Sequence, residues 1–187
     1  MEHLTDSIAL KGIYPLAIST GSEYSDTNVS QNIIDNEALL KMWWFIEEGG
    51  HHIVDENNEL AHEMNRIEAK LDMLLALISS WIGMQTRLPE KYNLELSSSH
   101  LTWQEKNPQA NEFTVGTVCQ ADCYIVPGHP LPLKLSGQIS TITQVGQGLQ
   151  IKMELVNMDD KVAQLLEKIL FRYHRRQVAS SKHSSRK

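Results

Sequence analysis

Residues 131–177 decide the fold class, and they read LPLKLSGQISTITQVGQGLQIKMELVNMDDKVAQLLEKILFRYHRRQ. The stretches 131–143 and 149–157 have the length and composition of strands, and the two glycines of residues 145–148 are typical of a hairpin turn between them. From Asp159 to about residue 177, apolar residues recur at a helical spacing, and Asp159 or Asn157 is placed to cap that helix. A strand pair followed by a helix predicts an antiparallel sheet with a helix packed on it.

Two more strand-like stretches precede this unit. Residues 92–103 alternate between apolar and polar side chains, and residues 113–126 are β-branched and apolar. We therefore predict an α+β fold in which antiparallel strands form a small barrel or sandwich closed by the final helix. Cys119 and Cys123 are four residues apart in one strand, so they share a face, and we predict that both are buried apolar side chains.

The region before these strands carries apolar residues at alternating spacings of three and four. This heptad pattern predicts a long helix over about residues 53–82 that associates with copies of itself. The predicted oligomerisation residues are Ile53, Asn57, Leu60, Met64, Ile67, Leu71, Leu74, Ile78 and Trp81.

The same spacing also fits an amphipathic helix that lies on its own domain. Asn57 favours self-association, because an amide among apolar side chains needs a partner amide and thereby fixes the register. Leu75 and Leu77 widen the apolar stripe beyond a two-helix seam, which favours a tetramer over a dimer. Glu63 would face Glu68 across a parallel dimer, a repulsion of roughly tenths of a kcal/mol that leaves the helix orientation open.

The N-terminal 34 residues are predicted to be irregular. Gly12 and Pro15 interrupt their apolar stretch, and residues 19–31 are rich in Ser, Thr, Asn and Gly. A first helix is predicted from about residue 34 to 48, with Asp35 or Asn36 as its cap. The predicted organisation is an irregular segment at 1–34, a helical region at 35–82, a barrel with its closing helix at 83–178 and a basic disordered tail at 179–187.

Charge is unevenly distributed along the chain, whose formal net charge is -6. Residues 1–167 carry 10 basic and all 23 acidic residues, a net of -13, whereas residues 168–187 carry 7 basic and no acidic residues. An acidic body argues against binding to a nucleic acid polymer, which draws on a broad cationic surface. The basic end is either a solubilising tail or an anion-binding arm.

Neither a membrane span nor a secretory signal is visible in the sequence. The longest aliphatic run, residues 73–78, is far shorter than the roughly 20 residues that a membrane helix needs. The N-terminus lacks a cationic region followed by an apolar one. We expect a cytoplasmic protein that does not interact with membranes.

Known catalytic motifs do not match this sequence. His62 and Glu63 resemble the start of a zinc-protease helix, but Arg66 stands where the second histidine is required. Residues 146–148 are a turn rather than a phosphate-binding loop, and residues 97–99 lack the flanking glycines of a nucleophilic serine. We therefore expect a binding or scaffolding protein without catalytic residues, metal or cofactor.

Several stretches together resemble one known family. They are LPE at 88–90, LELSSSHLTW at 94–103, PLPLKLSG at 130–137 and LLEKILFRYHRR at 165–176. These resemble the atypical PilZ domains, relatives of cyclic di-GMP receptors, of which one subgroup carries a long heptad helix that assembles tetramers. The resemblance implies a PilZ-like antiparallel β-barrel with a closing C-terminal helix, preceded by a heptad-repeat oligomerisation helix.

The resemblance also implies that the usual ligand contacts are missing. Ordinary PilZ domains hold cyclic di-GMP with an Arg-x-x-x-Arg loop and an Asp/Asn-x-Ser-x-x-Gly strand. Here the strand motif aligns with residues 95–100, with Glu95 at its first position and His100 in place of the glycine, and no matching arginine pair precedes it. Ser97 is the motif residue that remains.

Three arginines on the closing helix are candidates for replacement phosphate contacts. Arg172 and Arg176 are four residues apart and share a helix face, with Arg175 beside them. The alternative role for all three is to solvate the helix end and balance its dipole.

We therefore expect a non-enzymatic, homo-oligomeric adaptor in cyclic di-GMP-linked regulation of motility, surface behaviour or virulence, which contacts other regulatory proteins. The alternative is a genuine cyclic di-GMP receptor that uses Arg172, Arg175 and Arg176.

Overall fold

The described part of the chain contains a closed barrel of six antiparallel strands, two helices that pack on it, and helical residues between 63 and 78. The computed structural model describes residues 8–20, 26–48, 63–64, 66–67, 69–71, 73–74, 77–78, 87–106, 113–126 and 129–184. The labelled elements are β1 (Leu10–Thr20), α1 (Asp26–Glu48), β2 (Lys91–Leu96), β3 (His100–Glu105), β4 (Val118–Cys123), β5 (Leu133–Val145), β6 (Gly148–Leu155) and α2 (Asp160–Ser184). The predicted α+β fold, an antiparallel barrel with a C-terminal helix, is confirmed.

The barrel order is β1-β2-β3-β6-β5-β4, with β4 returning to β1. Side chains alternate between the interior and the outer face, as the period of a strand requires. Both cysteines are buried free thiols, as predicted, and the Sγ atom of Cys119 lies 3.2 Å from the Sδ atom of Met153. The largest fully buried side chains are Trp103, Leu10, Leu40, Leu96, Leu101, Ile125, Leu133, Leu135, Ile139, Ile151, Met153 and Leu166.

The prediction of an irregular N-terminal segment is wrong for β1. Its first half, through Pro15, pairs with β2, and its second half, from Leu16, pairs with β4. Pro15 lies where the strand changes partners, a position at which the missing N–H breaks neither ladder. The Leu16 N–H donates to the Glu90 carbonyl at 3.0 Å and the Tyr124 N–H donates to the Pro15 carbonyl at 3.1 Å, so this bend is hydrogen-bonded on both sides.

Helix α1 begins at Asp26, well before the predicted start near residue 34. The proposed cap residues have other partners. Asn36 lies inside α1, not at its start, and its side chain is buried. It donates to the Lys134 carbonyl at 2.7 Å and accepts from the Lys134 N–H at 2.9 Å. Pairing of β5 with β6 starts only at Gly137, so Asn36 takes the place of a strand neighbour for the earlier part of β5. Asp35 forms an ion pair with the Lys134 ammonium at 3.3 Å.

Helix α2 packs against α1 and closes the core with Val162, Leu166, Ile169 and Leu170. Asp159 caps its start as predicted, since its Oδ1 atom accepts from the Lys161 N–H at 2.9 Å. The predicted disordered tail from residue 179 is wrong in its first part, because the helix continues to Ser184. No glycine or proline interrupts residues 160–184, which explains the additional turns.

The described heptad residues are helical and expose their apolar side chains in the single chain. Met64, Ile67, Leu71, Leu74 and Ile78 are all between 50% and 55% exposed. Ile53, Asn57, Leu60 and Trp81 lie outside the described residues, so the full heptad helix stays a prediction. Among the helices of the described part, none is both long and apolar enough to cross a bilayer.

Candidate functional site

Three serines form the turn that connects β2 to β3, dividing the single strand predicted at 92–103. The Ser97 N–H donates to the His100 carbonyl at 2.9 Å. The Ser97 hydroxyl oxygen accepts from the backbone N–H of Ser99 at 3.2 Å and of His100 at 3.0 Å. A serine hydroxyl that bonds to nearby backbone groups competes with strand pairing and so stabilises a tight turn. The Ser97 side chain is buried, and its hydrogen bonds hold the turn closed.

His100 completes this turn from the first position of β3. Its Nδ1 atom lies 2.8 Å from the Ser97 Oγ atom and 3.2 Å from the Ser99 Oγ atom. Burial lowers the pKa of His100, as does the nearby Lys152 ammonium, against the opposing effects of Glu95 and Glu154. The imidazole is therefore neutral at pH 7. Because the Ser97 oxygen already accepts two backbone N–H groups, its hydroxyl proton is left to donate, and both the His100 Nδ1 atom and, at 3.2 Å, the His100 carbonyl oxygen lie within reach.

Glu95 precedes the turn on the outer face of β2. Its carboxylate forms an ion pair with the Lys11 ammonium of β1 at 3.2 Å, and both side chains are partly exposed. The first position of the aligned strand motif is thus occupied by an anion that already has a cationic neighbour.

An open cleft of about 470 Å³ lies between the serine turn and the middle of α2. We call it the turn cleft. Leu170 is buried at its base, whereas Phe171 is 51% exposed. The residues that line it are Ile8, Ser97, Ser98, Ser99, Glu167, Lys168, Leu170 and Phe171.

The three predicted arginines do not gather around Ser97. The Arg172 guanidinium lies 5.0 Å from the centroid of the Trp44 ring on α1. The Arg175 guanidinium lies 6.0 Å from the centroid of Phe171, at the edge of the turn cleft. Arg176 is exposed one position further along α2. Within the described residues, Lys168 is the cation that lines the cleft itself.

Another contact joins β1 to α2 on the far side of the helix. Burial, followed by the neighbouring Tyr173 hydroxyl, raises the pKa of Tyr14 to about 12. The Tyr14 phenol therefore stays protonated at neutral pH. Across the described residues, no group of three His, Cys, Asp or Glu side chains is arranged to hold a metal ion.

Most of the chain matches one protein family. The family described as atypical PilZ domain, cyclic di-GMP receptor, matches residues 45–183. The chain belongs to the atypical PilZ family. The match begins near the end of α1 and covers β2 to β6 and nearly all of α2, whereas β1 lies before it. It confirms the resemblance drawn from the sequence, and PilZ domains are binding or receptor domains rather than enzymes.

A solved structure from Xanthomonas campestris has a similar fold. It is a pathogenic protein described as a tetrameric PilZ domain self-assembled via an unusual helical bundle. The two chains are 21% identical with a TM-score of 0.76, over 94% of this chain and 93% of the other. At this identity the likeness establishes the shared PilZ fold. None of the curated proteins matches the chain.

Sequence reasoning found one residue of the turn cleft, Ser97, and missed the residues that α2 contributes. Phe171 carried a usable signal, since it is a large apolar residue on the polar side of an otherwise regular amphipathic helix. Lys168 and Glu167 carried none, because charged residues on a helix surface are ordinary.

Proposed function

We propose that this PilZ protein is a non-enzymatic, homo-oligomeric adaptor of the cytoplasm, which acts by protein contact in cyclic di-GMP-linked regulation of motility, surface behaviour or virulence. The observation that carries the proposal is the exposed apolar face of the heptad residues. Five such side chains on one helical repeat, each about half exposed in the single chain, form a surface that soluble proteins cover with another chain.

A tetramer is the favoured assembly. Leu77, beside the heptad positions, is 57% exposed as well, so the apolar stripe is wider than a two-helix seam covers. The Xanthomonas campestris neighbour, which has the same fold, is described as a tetramer held by a helical bundle. An equivalent bundle here would bury the same stripe.

The proposed loss of cyclic di-GMP binding rests on the serine turn. Phosphate groups are best held by guanidinium pairs, which form two parallel hydrogen bonds to the oxygens. The motif position that usually holds an aspartate or asparagine is Glu95, already ion-paired with Lys11, and the position of the usual glycine holds the His100 imidazole. Both changes oppose the approach of a dianionic dinucleotide to this strand.

The second candidate function is a genuine cyclic di-GMP receptor. The cations of α2 favour it, because Lys168 lines the turn cleft and the Arg175 guanidinium lies 6.0 Å from the ring of Phe171, which also lines it. In this case Arg172, Arg175 and Arg176 would replace the missing arginine loop, and Arg172 would have to leave the Trp44 ring to reach the cleft.

Titration calorimetry of cyclic di-GMP into the full chain at low salt, with light scattering on the same sample, separates the two functions. Low salt is used because phosphate contacts are screened by ions. The adaptor proposal predicts no heat and an oligomeric mass that does not change. Binding at about micromolar affinity or tighter would instead support the receptor. R175E and R176E should then abolish binding, whereas K161E, the same charge reversal at the start of α2, should retain it.

A further inference from the structure

The exposed face of α2 next to the turn cleft combines an aromatic ring with cations. Lys168, Phe171 and Arg175 lie at a spacing of three and four residues, so they follow one another along a single side of the helix. Ile169 and Leu170 are buried in the core, whereas Phe171 is 51% exposed and lies outside it. Phe171 is thus about half exposed, and it lines the turn cleft.

The geometry points to this face as a docking site for an acidic segment of a partner protein, with one apolar side chain seated in the turn cleft against Phe171 and carboxylates facing Lys168 and Arg175. This inference rests on the adaptor function and supplies its contact surface. It names the chemistry of the partner, a short acidic stretch around a leucine or aromatic residue.

The interior of the cleft suits an apolar anchor. Three apolar residues, Ile8, Leu170 and Phe171, line it. A volume of about 470 Å³ falls within the range of sites that enclose a ligand group. Docking sites draw most of their energy from such an anchor, a large side chain that is desolvated in a pocket.

Charge selects the flanking residues of the partner. Residues 168–176 contain Lys168, Arg172, Arg175 and Arg176 and no carboxylate. Glu167 directly precedes this cationic stretch in the sequence and also lines the cleft. The carboxylates of an incoming acidic segment are therefore attracted to Arg175 and repelled by Glu167. The asymmetry predicts that the carboxylates of the segment lie against Lys168 and Arg175, on either side of the anchor, and away from Glu167.

The serine turn adds hydrogen-bonding groups on the other wall. Ser98 lies at the tip of the turn, and the bonds that close the turn are made by Ser97, Ser99 and His100. Hydroxyl groups at the rim of an apolar site can pair with the backbone of an extended segment, which gives specificity without a second charge.

Selection from a random 12-residue peptide library displayed on phage, against the immobilised full-length protein, tests the site. We expect enriched peptides with a leucine or aromatic residue flanked by aspartate or glutamate. The best peptide, synthesised and measured by fluorescence anisotropy, should bind about tenfold more weakly to F171S, as expected for an anchor residue. K168E/R175E should weaken it to a similar degree, and higher salt should weaken it further.

K161E is the matched control, because it reverses one charge on the same helix two turns from Lys168. Peptide affinity for it should stay within about twofold of the unmodified protein. Circular dichroism and light scattering check that each variant keeps its fold and mass, which the exposure of all four substituted side chains favours.

Three results would overturn the docking site: no enriched peptides, enriched peptides without acidic residues, or peptides that bind F171S as well as the unmodified protein. Equal affinity for a 12-residue polyaspartate would also overturn it, since that would show charge attraction without an anchor. These failures leave the oligomeric mass and the cyclic di-GMP titration untouched, so they are distinguishable from failure of the adaptor function.

Discussion

Leu101 in the barrel and Leu71 in the heptad region both belong to regular apolar patterns, yet their surroundings differ completely. Leu101 has no exposed surface, whereas Leu71 is 53% exposed in the single chain. The apolar side chains of the strands are buried within one chain, because six strands and two helices enclose them. The apolar side chains of the heptad residues stay exposed among the described residues. The difference shows that the barrel forms its core within one chain, and it supports the proposal that the heptad residues serve association between chains.

The largest effect is expected in the barrel core. Trp103 is buried and packs edge-on against Phe113, with ring centroids 5.8 Å apart. W103A removes this side chain and leaves a cavity, so the free energy of unfolding should fall by about 3–5 kcal/mol. Urea denaturation at one fixed protein concentration measures it. F45A, which truncates an exposed aromatic residue of α1, is the control and should cost much less. Similar losses for both variants would contradict the assignment of Trp103 to the core.

A smaller loss is expected where α1 replaces a strand neighbour of β5. N36A leaves the partly buried N–H and carbonyl of Lys134 without their side-chain partner, and should lower the free energy of unfolding by about 1–3 kcal/mol. D35N, at the adjacent position, removes only a partly exposed ion pair and should cost less than about 1 kcal/mol. If D35N proves the more costly, the ion pair rather than the amide joins α1 to the barrel.

The smallest effect concerns pH and the serine turn. The folded pKa of His100 lies below the unfolded value of about 6.5, so protons bind the unfolded chain more readily. Stability should therefore be complete above that value and should fall as pH drops from about 6.5 toward the folded pKa. Urea denaturation at a series of pH values should show a shallower decline for H100N, which keeps an acceptor near the Ser97 hydroxyl.

Burial also lowers the pKa of His129, so the described part of the chain contains two such contributions. H129N should remove the second, and the double variant should show the weakest pH dependence of all. A double variant whose stability declines as steeply as that of the unmodified chain would place the acid sensitivity elsewhere.

The elements with strong local patterns could be predicted from the sequence. The hairpin of β5 and β6 and the Asp159 cap followed from turn and capping residues, and the cysteines followed from the period of a strand. Strand β1 could not be predicted, since Pro15 weakens every local strand signal and its tolerance depends on a change of partners that only the closed barrel provides.

The candidate site was harder to predict than the fold. The turn cleft joins residues about 70 positions apart in sequence, and no periodicity brings Ser97 and Phe171 together. The arginine cluster was visible in the sequence, but the contact of Arg172 with Trp44 depends on the packing of α1 against α2. Residues that act through tertiary proximity leave little trace in a single sequence.

Light scattering of the full chain and of L71E/L74E tests the central claim most directly, with L131E as control because Leu131 is equally exposed but lies outside the heptads. We predict a multiple of the chain mass of 21.2 kDa for the unmodified protein and L131E, with four copies favoured, and a single chain with unchanged circular dichroism for L71E/L74E. A single-chain mass for the unmodified protein, or an oligomer that survives both substitutions, would contradict the claim that the heptad residues hold the assembly together.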